Sequence, residues 1–336
     1  MPGVADPGVA DNAAMGRSGQ PLPRVAVFGA GALGGYFGSR LARAAAAEVH
    51  LIARGDHLAA LRAQSLTVRS VDGDYRVELA VTDDPAVIGP VDFVFFTVKS
   101  YDTQQAGQRL APLLGADTGV ISFQNGIDNE DKLAALIGTG HVMGGTAYVL
   151  ANLEGPGIVR HSGGPGRLVF GELDGRRSER GERLLAACAQ AGIPAELSGD
   201  IRAELWSKYA FILAHAGMTA AVRLPIGEIR NSRAAWGMFA TIVEEVWRVG
   251  RAEGVNLPDD LVARQLAFAE GLVPEGYSSL YHDLTTGRRL ELAALHGELL
   301  RRAEDHRLPT PACRAIFAIL EPWALRAGDG PPPATG

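Results

Sequence analysis

From Arg24 onward, the apolar positions of the chain follow two periodicities in turn. Short runs rich in β-branched and aromatic residues predict strands at 24–29, 48–54, 91–99, 118–126 and 141–153. Apolar residues at helical spacing predict helices at 34–45 and 55–64. The stretch 66–79 has the pattern of a hairpin that turns at Asp72 and Gly73. This alternation predicts a mostly parallel sheet with helices on both faces.

The pattern changes near Gly155. Residues 155–173 still show strand and turn patterns, whereas helical spacing dominates from Glu182 onward. Long helices are predicted at 203–222, 234–254 and 288–306. We therefore expect an α/β fold with a Rossmann-type parallel-sheet domain over 23–190 and an all-helical domain over 191–325. The flanking residues 1–22 and 326–336 are rich in glycine, proline and small side chains, which predicts disordered tails.

The composition narrows the class of protein. The chain has 336 residues, of which 47% are hydrophobic and 21% charged, as in an ordinary soluble enzyme. Its net charge of −6 argues against nucleic-acid binding. It has neither a signal-peptide pattern nor an apolar run long enough for a membrane span, so we expect a cytoplasmic protein. Its two cysteines lack metal-ligand spacing, and we expect no metal site.

A glycine-rich turn follows the first predicted strand. It fits the pattern Gly29-x-Gly31-x-x-Gly34, in which the first glycine permits a tight turn and the second admits a pyrophosphate. The third lets the helix pack closely on the strand. Ala32 and Leu33 then place backbone N–H groups at the start of the helix, where they can bind phosphate. Glycine is abundant here and a plain turn is the alternative, but the strand-turn-helix context favours dinucleotide binding.

The end of the second predicted strand indicates which dinucleotide binds. Arg54 stands where NAD enzymes usually carry an acidic residue. A guanidinium suits the 2′-phosphate of NADP, which it can bind bidentately. Asp56 lies two residues further on and keeps NAD as an alternative. We predict NADP(H) as the cofactor.

Lys208 lies in the apolar predicted helix 203–222. Lysine is rare in this chain, where arginine supplies most of the positive charge. The simpler interpretation is a stem that covers apolar surface while its ammonium reaches water. The alternative is a desolvated ammonium beside the nicotinamide, which polarises a ketone and gives it a proton.

A series of motifs resembles the ketopantoate reductase (2-dehydropantoate 2-reductase) family over residues 24–325. They include "GAGALGGYFGSRLA", "ARGDHLAAL", "TVKSYDT", "SFQNGIDNEDKL", "LWSKYAFILA" and "SSLYHDLTTGRRLELAALHG", and their order along the chain makes the resemblance specific. The resemblance implies an NADP-binding Rossmann domain followed by a helical substrate domain, an arrangement like that of 6-phosphogluconate dehydrogenase. It further implies reduction of 2-dehydropantoate to pantoate with NADPH, for pantothenate and coenzyme A synthesis, and a homodimer.

The resemblance assigns roles to individual residues. Lys208 falls at the family's catalytic lysine, and Glu291 at an acidic partner that hydrogen-bonds the substrate or the lysine. Ser279 falls at a contact to the substrate carboxylate, Asn125 near the nicotinamide and ribose, and Lys99 close to the cofactor. Residue by residue the alternatives are simpler: a solvated helix charge for Glu291, a turn for Asn125 and a helix cap for Ser279.

The chain departs from the family pattern on the substrate side. Ile212 and Ala216 stand where the family has substrate-binding asparagines, Gly217 replaces a proline, and His296 replaces a further asparagine. Apolar replacements lose hydrogen bonds to substrate oxygens. The alternatives are therefore a reductase of a less polar 2-oxo acid or ketone, and a non-catalytic NADP sensor.

Overall fold

The structure is a computed structural model, and it describes residues 21–327. One sheet contains all ten strands that these residues form. The strands are β1 (Arg24–Phe28), β2 (Glu48–Ile52), β3 (Leu66–Ser70), β4 (Tyr75–Val77), β5 (Ala80–Thr82), β6 (Val91–Phe96), β7 (Leu114–Ser122), β8 (Val142–Gly155), β9 (Ile158–Glu172) and β10 (Ala195–Leu197).

Twelve α-helices accompany the strands in the described chain. Five belong to the sheet region: α1 (Ala32–Arg43), α2 (Gly55–Gln64), α3 (Thr103–Gly107), α4 (Asn129–Ile137) and α5 (Glu179–Gln190). The other seven follow β10: α6 (Ile201–Val222), α7 (Ile226–Asn231), α8 (Arg233–Ala252), α9 (Leu261–Glu270), α10 (Ser279–Thr285), α11 (Glu298–Asp305) and α12 (Pro311–Arg326).

The sheet has the predominantly parallel topology that the sequence predicts. Its strand order is β4-β3-β9-β8-β7-β6-β1-β2-β5, and β10 pairs with β9. Only the pairs β3–β4 and β8–β9 are antiparallel among the described strands. The first of these is the predicted hairpin, with Gly73 at φ +108° in its turn. Because β1 lies between β2 and β6, the loops after these three strands meet at one edge of the sheet.

Two hydrophobic cores cover the two faces of the sheet, and a third fills the helical region. On one face α1 and α5 pack on the apolar side chains of the strands, and on the other α3 and α4 do so. β6 reads as a near-continuous apolar run because five of its six residues are buried. The fold class predicted from the sequence is therefore confirmed.

Helix α6 is the central helix of the third core. It begins at Asp200, whose side chain accepts a hydrogen bond from the N–H of Ala203 at 3.0 Å. It ends at Arg223, which adopts a left-handed conformation, two residues before Pro225. Twelve of its 22 residues are buried, since α6 packs against α8, α10 and α12 as well as against β8 and β9.

The predicted helix over 288–306 is wrong in its first part. The segment from Arg288 to Leu292 is not helical, and a single π-helical turn over 293–297 leads into α11. The cause is tertiary, because the Glu291 carboxylate is held by hydrogen bonds from the loop after β6. π-Turns of this kind occur mostly near functional sites.

The predicted tails lie almost wholly in residues 1–20 and 328–336, which are outside the described residues. The last strand, β10, joins the sheet at 195–197, and helices follow it from Ile201 onward. None of the helices within residues 21–327 combines the length and the apolar character that a membrane span requires.

Candidate active site

The glycine turn joins β1 to α1 and depends on two close approaches. Gly29 has φ +100°, and a Cβ there would lie 2.8 Å from the backbone nitrogen of Val98. A Cβ on Gly34 would lie 2.5 Å from Thr97 Oγ1 and 2.6 Å from Val27 Cγ1. The hydroxyl of Thr97 also donates to the Gly29 carbonyl at 2.7 Å. These two glycines are therefore required by the protein's own packing.

Gly31 differs from its two neighbours in the motif. A Cβ at Gly31 would have no protein atom closer than 4.0 Å, so packing within the described chain does not require glycine here. Gly31 precedes Ala32 and Leu33, the first residues of α1, and no side chain caps this helix. Its first turn carries no acidic residue, so its N–H groups and partial positive charge suit an anion. The turn therefore fits a pyrophosphate.

Arg54 follows β2 and carries a positive charge beside this turn. Its side chain is 76% exposed, and Nη2 donates to Asp102 Oδ2 at 2.6 Å. Asp102 belongs to the loop after β6, so the ion pair joins the loops on the two sides of β1. Asp56 is exposed in the first turn of α2.

A small cavity lies where α6 meets β8 and the turn after β7. It brings together Lys208, Ile212 and Asn125, three residues that the sequence singles out. Its complete lining is Gln124, Asn125, Gly126, Thr146, Leu205, Lys208, Tyr209 and Ile212. The hydroxyl of Tyr209 already donates to the carbonyl of Leu295 at 2.6 Å, and the Gln124 amide already donates to the carbonyl of Val98. Lys208 and the Asn125 amide are therefore the polar side-chain groups of interest at this cavity.

The Lys208 ammonium has no charged neighbour that stabilises it. Within residues 21–327 it makes neither an ion pair nor a hydrogen bond, although Glu204 lies one turn earlier on α6. Its Nζ atom lies 5.6 Å from the centroid of the Tyr148 ring on β8, which is within the range of a cation–π contact. Burial lowers the pKa of Lys208 to about 8. Such a pKa suits a group that donates a proton near neutral pH.

Lys99 lies in an opposite environment, at the end of β6. Its Nζ atom donates to Glu291 Oε2 and to Asp283 Oδ2, each at 2.9 Å. Ser100 donates to Glu291 Oε1 from its N–H at 2.9 Å and from its hydroxyl at 2.8 Å. The Glu291 carboxylate thus accepts three hydrogen bonds from one loop. We call these four residues, Lys99, Ser100, Asp283 and Glu291, the charged cluster.

The charged cluster shifts the pKa values of Glu291 and Lys99 in the directions that favour their charged forms. Burial alone raises the pKa of Glu291, but the Lys99 charge and the bonds from Ser100 outweigh it, so its pKa is lowered. Burial also disfavours the Lys99 ammonium, and the carboxylates of Glu291 and Asp283 reverse this and raise its pKa. Glu291 is therefore bound to Lys99 and Ser100 and not to Lys208.

Ser279 begins α10 and is exposed, whereas Ser278 before it is buried. Ser278 caps α10 by accepting a hydrogen bond from the N–H of Tyr281 at 3.1 Å. Its hydroxyl lies 2.7 Å from that of Thr219 on α6. Since Ser278 serves as the cap, the hydroxyl of Ser279 is free of that role, and its contact with substrate stays a prediction.

Comparison with known proteins identifies the family. The family described as ketopantoate reductase PanE/ApbA matches residues 25–175, and its C-terminal part matches residues 200–323. This chain belongs to the ketopantoate reductase family. Relatives in the family are named 2-dehydropantoate 2-reductases, so the family is one of oxidoreductases. The resemblance predicted from the sequence is confirmed.

Individual relatives match nearly their full length. The 2-dehydropantoate 2-reductase of Halobacterium salinarum is 32% identical over 303 residues, which cover 88% of this chain and 97% of that protein. A crystal structure of a PanE/ApbA family ketopantoate reductase from Ralstonia eutropha is 36% identical, with a TM-score of 0.83, and the match covers 90% of this chain and 99% of that one. A D-mandelate dehydrogenase bound to NADH and anilino(oxo)acetate also reaches a TM-score of 0.83 over 90% of this chain and 99% of its own, but at 23% identity this likeness shows the fold alone.

The departures from the family's sequence pattern differ in their surroundings, and two of them, Gly217 and His296, pack against each other. Ala216 is buried in the helical core, outside the lining of the cavity, whereas Ile212 contributes to that lining. A Cβ on Gly217 would lie 2.5 Å from Nε2 of His296, which is fully buried in the π-turn. Glycine at 217 therefore makes room for histidine at 296, and a larger residue at 217 would force His296 to repack.

Several residues of the site carry no separate signal in the sequence. Asp283 lies 184 positions from Lys99, and Tyr148 lies on a different element from Lys208. Gln124 links the glycine turn to the cavity, because its Nε2 atom donates to the carbonyl of Val98 at 2.9 Å. Ser100 and Asp283 do fall inside motifs that resemble the family, and this is the signal in the sequence that could have identified them as residues of the site.

Proposed function

We propose that this protein reduces 2-dehydropantoate to pantoate with NADPH, and that Lys208 is the general acid. The observation that carries the proposal is the cavity at which Lys208 and Asn125 meet, with Lys208 partly buried and without a carboxylate partner among residues 21–327. A lysine with only a structural role would be expected to bind a carboxylate or to reach water, as Lys132 does. Membership of an oxidoreductase family supports the same reading.

The residues that would hold the cofactor follow the edge of the sheet. The turn of Gly29, Gly31 and Gly34 and the start of α1 suit the pyrophosphate. Arg54 suits the 2′-phosphate. Val98 and Gln124 connect this turn to the cavity, so a dinucleotide along the edge would bring its nicotinamide toward Asn125. When bound, NADPH supplies the hydride that converts a ketone into an alcohol.

Lys208 provides the proton that balances this reduction. Negative charge develops on the ketone oxygen in the transition state, and an ammonium close to it stabilises that charge. With a pKa of about 8, Lys208 is mostly protonated at neutral pH and gives up its proton more easily than an ordinary lysine. Ser279 would bind the substrate carboxylate, and Lys99 and Ser100 would hold the Glu291 carboxylate in place.

Consumption of NADPH with 2-dehydropantoate tests the proposal, with NADH and other 2-oxo acids in parallel. We expect Lys208→Ala to lower kcat by about 10²- to 10⁴-fold while the affinity for NADPH is unchanged. Lys132→Ala is the matched control, since Lys132 is a partly exposed lysine paired with Asp128 on α4. Full turnover in Lys208→Ala would refute the assigned role. NADPH binding by the wild type without turnover of any 2-oxo acid would indicate a sensor.

A second candidate is a reductase of a less polar 2-oxo acid, and one observation favours it. Ile212 lines the cavity one helical turn after Lys208, at a position where the family pattern has asparagine. If the substrate is 2-dehydropantoate, Ile212→Asn should preserve or raise its kcat/KM. If the substrate is apolar, the same change should lower kcat/KM for that substrate by roughly tenfold, because it places an amide against an apolar group.

A further inference from the structure

The ion pair between Arg54 and Asp102 spans the front of the glycine turn. Arg54 follows β2, Asp102 lies beyond the end of β6, and β1 with its glycine turn lies between these two strands. Arg54 Nη2 donates to Asp102 Oδ2 at 2.6 Å. The adenosine ribose of a bound dinucleotide belongs at the end of the second strand of such a fold. A carboxylate therefore already binds the guanidinium that would meet the ribose phosphate.

Asp102 has no other role that explains it. It precedes α3 but makes no side-chain capping bond there. Its carboxylate is only 21% exposed, although its partner Arg54 is 76% exposed. The carboxylate thus lies on the inner side of the pair, toward the sheet edge, and the guanidinium on the solvent side.

The histidine nearest to Arg54 in the sequence cannot replace it at a phosphate. His57, three residues further on, uses both ring nitrogens for backbone contacts. Its Nδ1 atom accepts from the N–H of Gly157 at 3.0 Å, so Nε2 carries the hydrogen and donates to the carbonyl of Ala30 at 2.6 Å. A histidine with both ring nitrogens engaged has no donor left for a phosphate. The guanidinium at the end of β2, where the 2′-phosphate belongs, is thus the one that Asp102 already binds.

We propose that Asp102 is a cofactor-selectivity residue, whose carboxylate competes with the 2′-phosphate of NADPH for Arg54. This inference rests on the proposed function in that it requires a nicotinamide dinucleotide at the glycine turn. The phosphate and the carboxylate are both acceptors for the same donors, and two anions at one guanidinium repel each other. The ribose of NADH carries a 2′-hydroxyl, which can donate to Asp102 without displacing it. Asp102 thus lowers the affinity for NADPH relative to the affinity for NADH.

Calorimetric affinities for NADPH and NADH, and for the fragments 2′,5′-ADP and 5′-AMP, test this inference. The proteins to compare are the wild type, Asp102→Asn, Arg54→Gln and the double variant. We expect Asp102→Asn to bind NADPH and 2′,5′-ADP roughly threefold to tenfold more tightly, since the Arg54 guanidinium is largely exposed and its pairing is replaced at modest cost. The affinities for NADH and 5′-AMP should change by less than about twofold. In the Arg54→Gln background the gain should largely disappear, which is the signature of competition.

Asp83→Asn is the control for the change in charge. Asp83 pairs with Arg62 at 3.4 Å in an exposed ion pair near the same end of the sheet. We expect Asp83→Asn to leave all four affinities unchanged. An equal gain from Asp102→Asn with and without Arg54, or no gain at all, would overturn the inference while leaving the proposed function intact. A wild type that binds neither dinucleotide would instead overturn the proposed function and this inference with it.

Discussion

Lys99 and Lys208 both lie near the junction of sheet and helices, but in opposite electrostatic environments. Lys99 binds two carboxylates at 2.9 Å each, whereas Lys208 faces an aromatic ring and apolar side chains. The pKa of Lys99 is raised above its usual value, and that of Lys208 is lowered to about 8. The difference separates two uses of one residue type. A lysine with partners joins two segments of the fold, and a lysine without them is suited to proton transfer.

The largest effect that we expect is the difference between the pKa values of Lys208 and Lys99. Reductive ¹³C-methylation labels all lysines, which are few in this chain, and NMR can follow each signal with pH. Lys208 should titrate near pH 8 and Lys99 above its usual value of about 10.4. Lys208→Arg and Lys99→Arg variants assign the signals. Similar titrations for Lys99 and Lys208 would remove the contrast between them.

Disruption of the charged cluster should cost stability. Glu291→Gln leaves Lys99 with one carboxylate and places an amide against its ammonium, so we expect a loss of about 2–3 kcal/mol in the free energy of unfolding. Because the pKa of Glu291 is lowered in the fold, its contribution is present above its unfolded pKa of about 4.3 and is lost as the pH falls through the folded value. Wild type and variant should therefore converge in acid.

The control for this experiment is Glu304→Gln. Glu304 pairs with Arg314 at 2.9 Å, but both side chains are more than half exposed. Exposed pairs of this kind contribute about 0–1 kcal/mol. Urea denaturation of both variants at pH 7 and pH 4 measures the difference. A Glu291→Gln variant as stable as Glu304→Gln would show that the charged cluster does not hold the sheet and the helices together.

Removal of the Lys208 charge should raise the free energy of unfolding, whereas disruption of the charged cluster should lower it. Its folded pKa is about 8 and its unfolded value is near 10.5, so the folded state binds fewer protons between these two pH values. Lys208 therefore destabilises the fold below pH 8, and this penalty disappears as the pH rises toward 10.5. We expect Lys208→Met to be more stable than the wild type by about 1–2 kcal/mol at pH 7, and to lose that advantage in base.

Lys132→Met provides the comparison for the Lys208 variant. Lys132 pairs with Asp128 at 2.5 Å, so its removal should cost stability or leave it unchanged at pH 7. Thermal or urea unfolding between pH 7 and pH 10 gives both curves. If Lys208→Met is destabilised at pH 7, Lys208 is a stabilising core residue and the proposed role in catalysis loses its physical basis.

The smallest effect belongs to the aromatic ring beside Lys208. Tyr148→Leu removes the cation–π contact and should lower the pKa of Lys208 by about half a unit. Tyr148→Phe keeps the ring and should leave the titration nearly unchanged. Other charged groups in the vicinity are Glu204, Glu196 and Arg167, which interact with Tyr148 itself. Equal shifts in the two variants would assign the effect to the hydroxyl.

Local backbone geometry made part of the fold predictable. A left-handed φ at Gly29 and the crowded position of Gly34 are properties of a strand-turn-helix segment, and they are visible as glycines at fixed spacing. The hairpin at Gly73 and the buried run of β6 follow from turn chemistry and hydrophobic period in the same way. The helix predicted over 288–306 failed at its start, because a distant loop binds Glu291 and no local pattern records that contact.

Sequence by itself determined which residues are chemically capable: the glycine turn, Arg54, Lys99, Lys208, and Glu291 through its family motif. Only the tertiary structure decided how these residues are paired. It joined Glu291 to Lys99 and Asp102 to Arg54, and it left Lys208 beside Tyr148 without a carboxylate partner from the described part of the chain. The physical reason is that the pKa and reactivity of a side chain depend on charges and burial within a few ångströms. Those neighbours come from segments far apart in the chain, which the fold alone brings together.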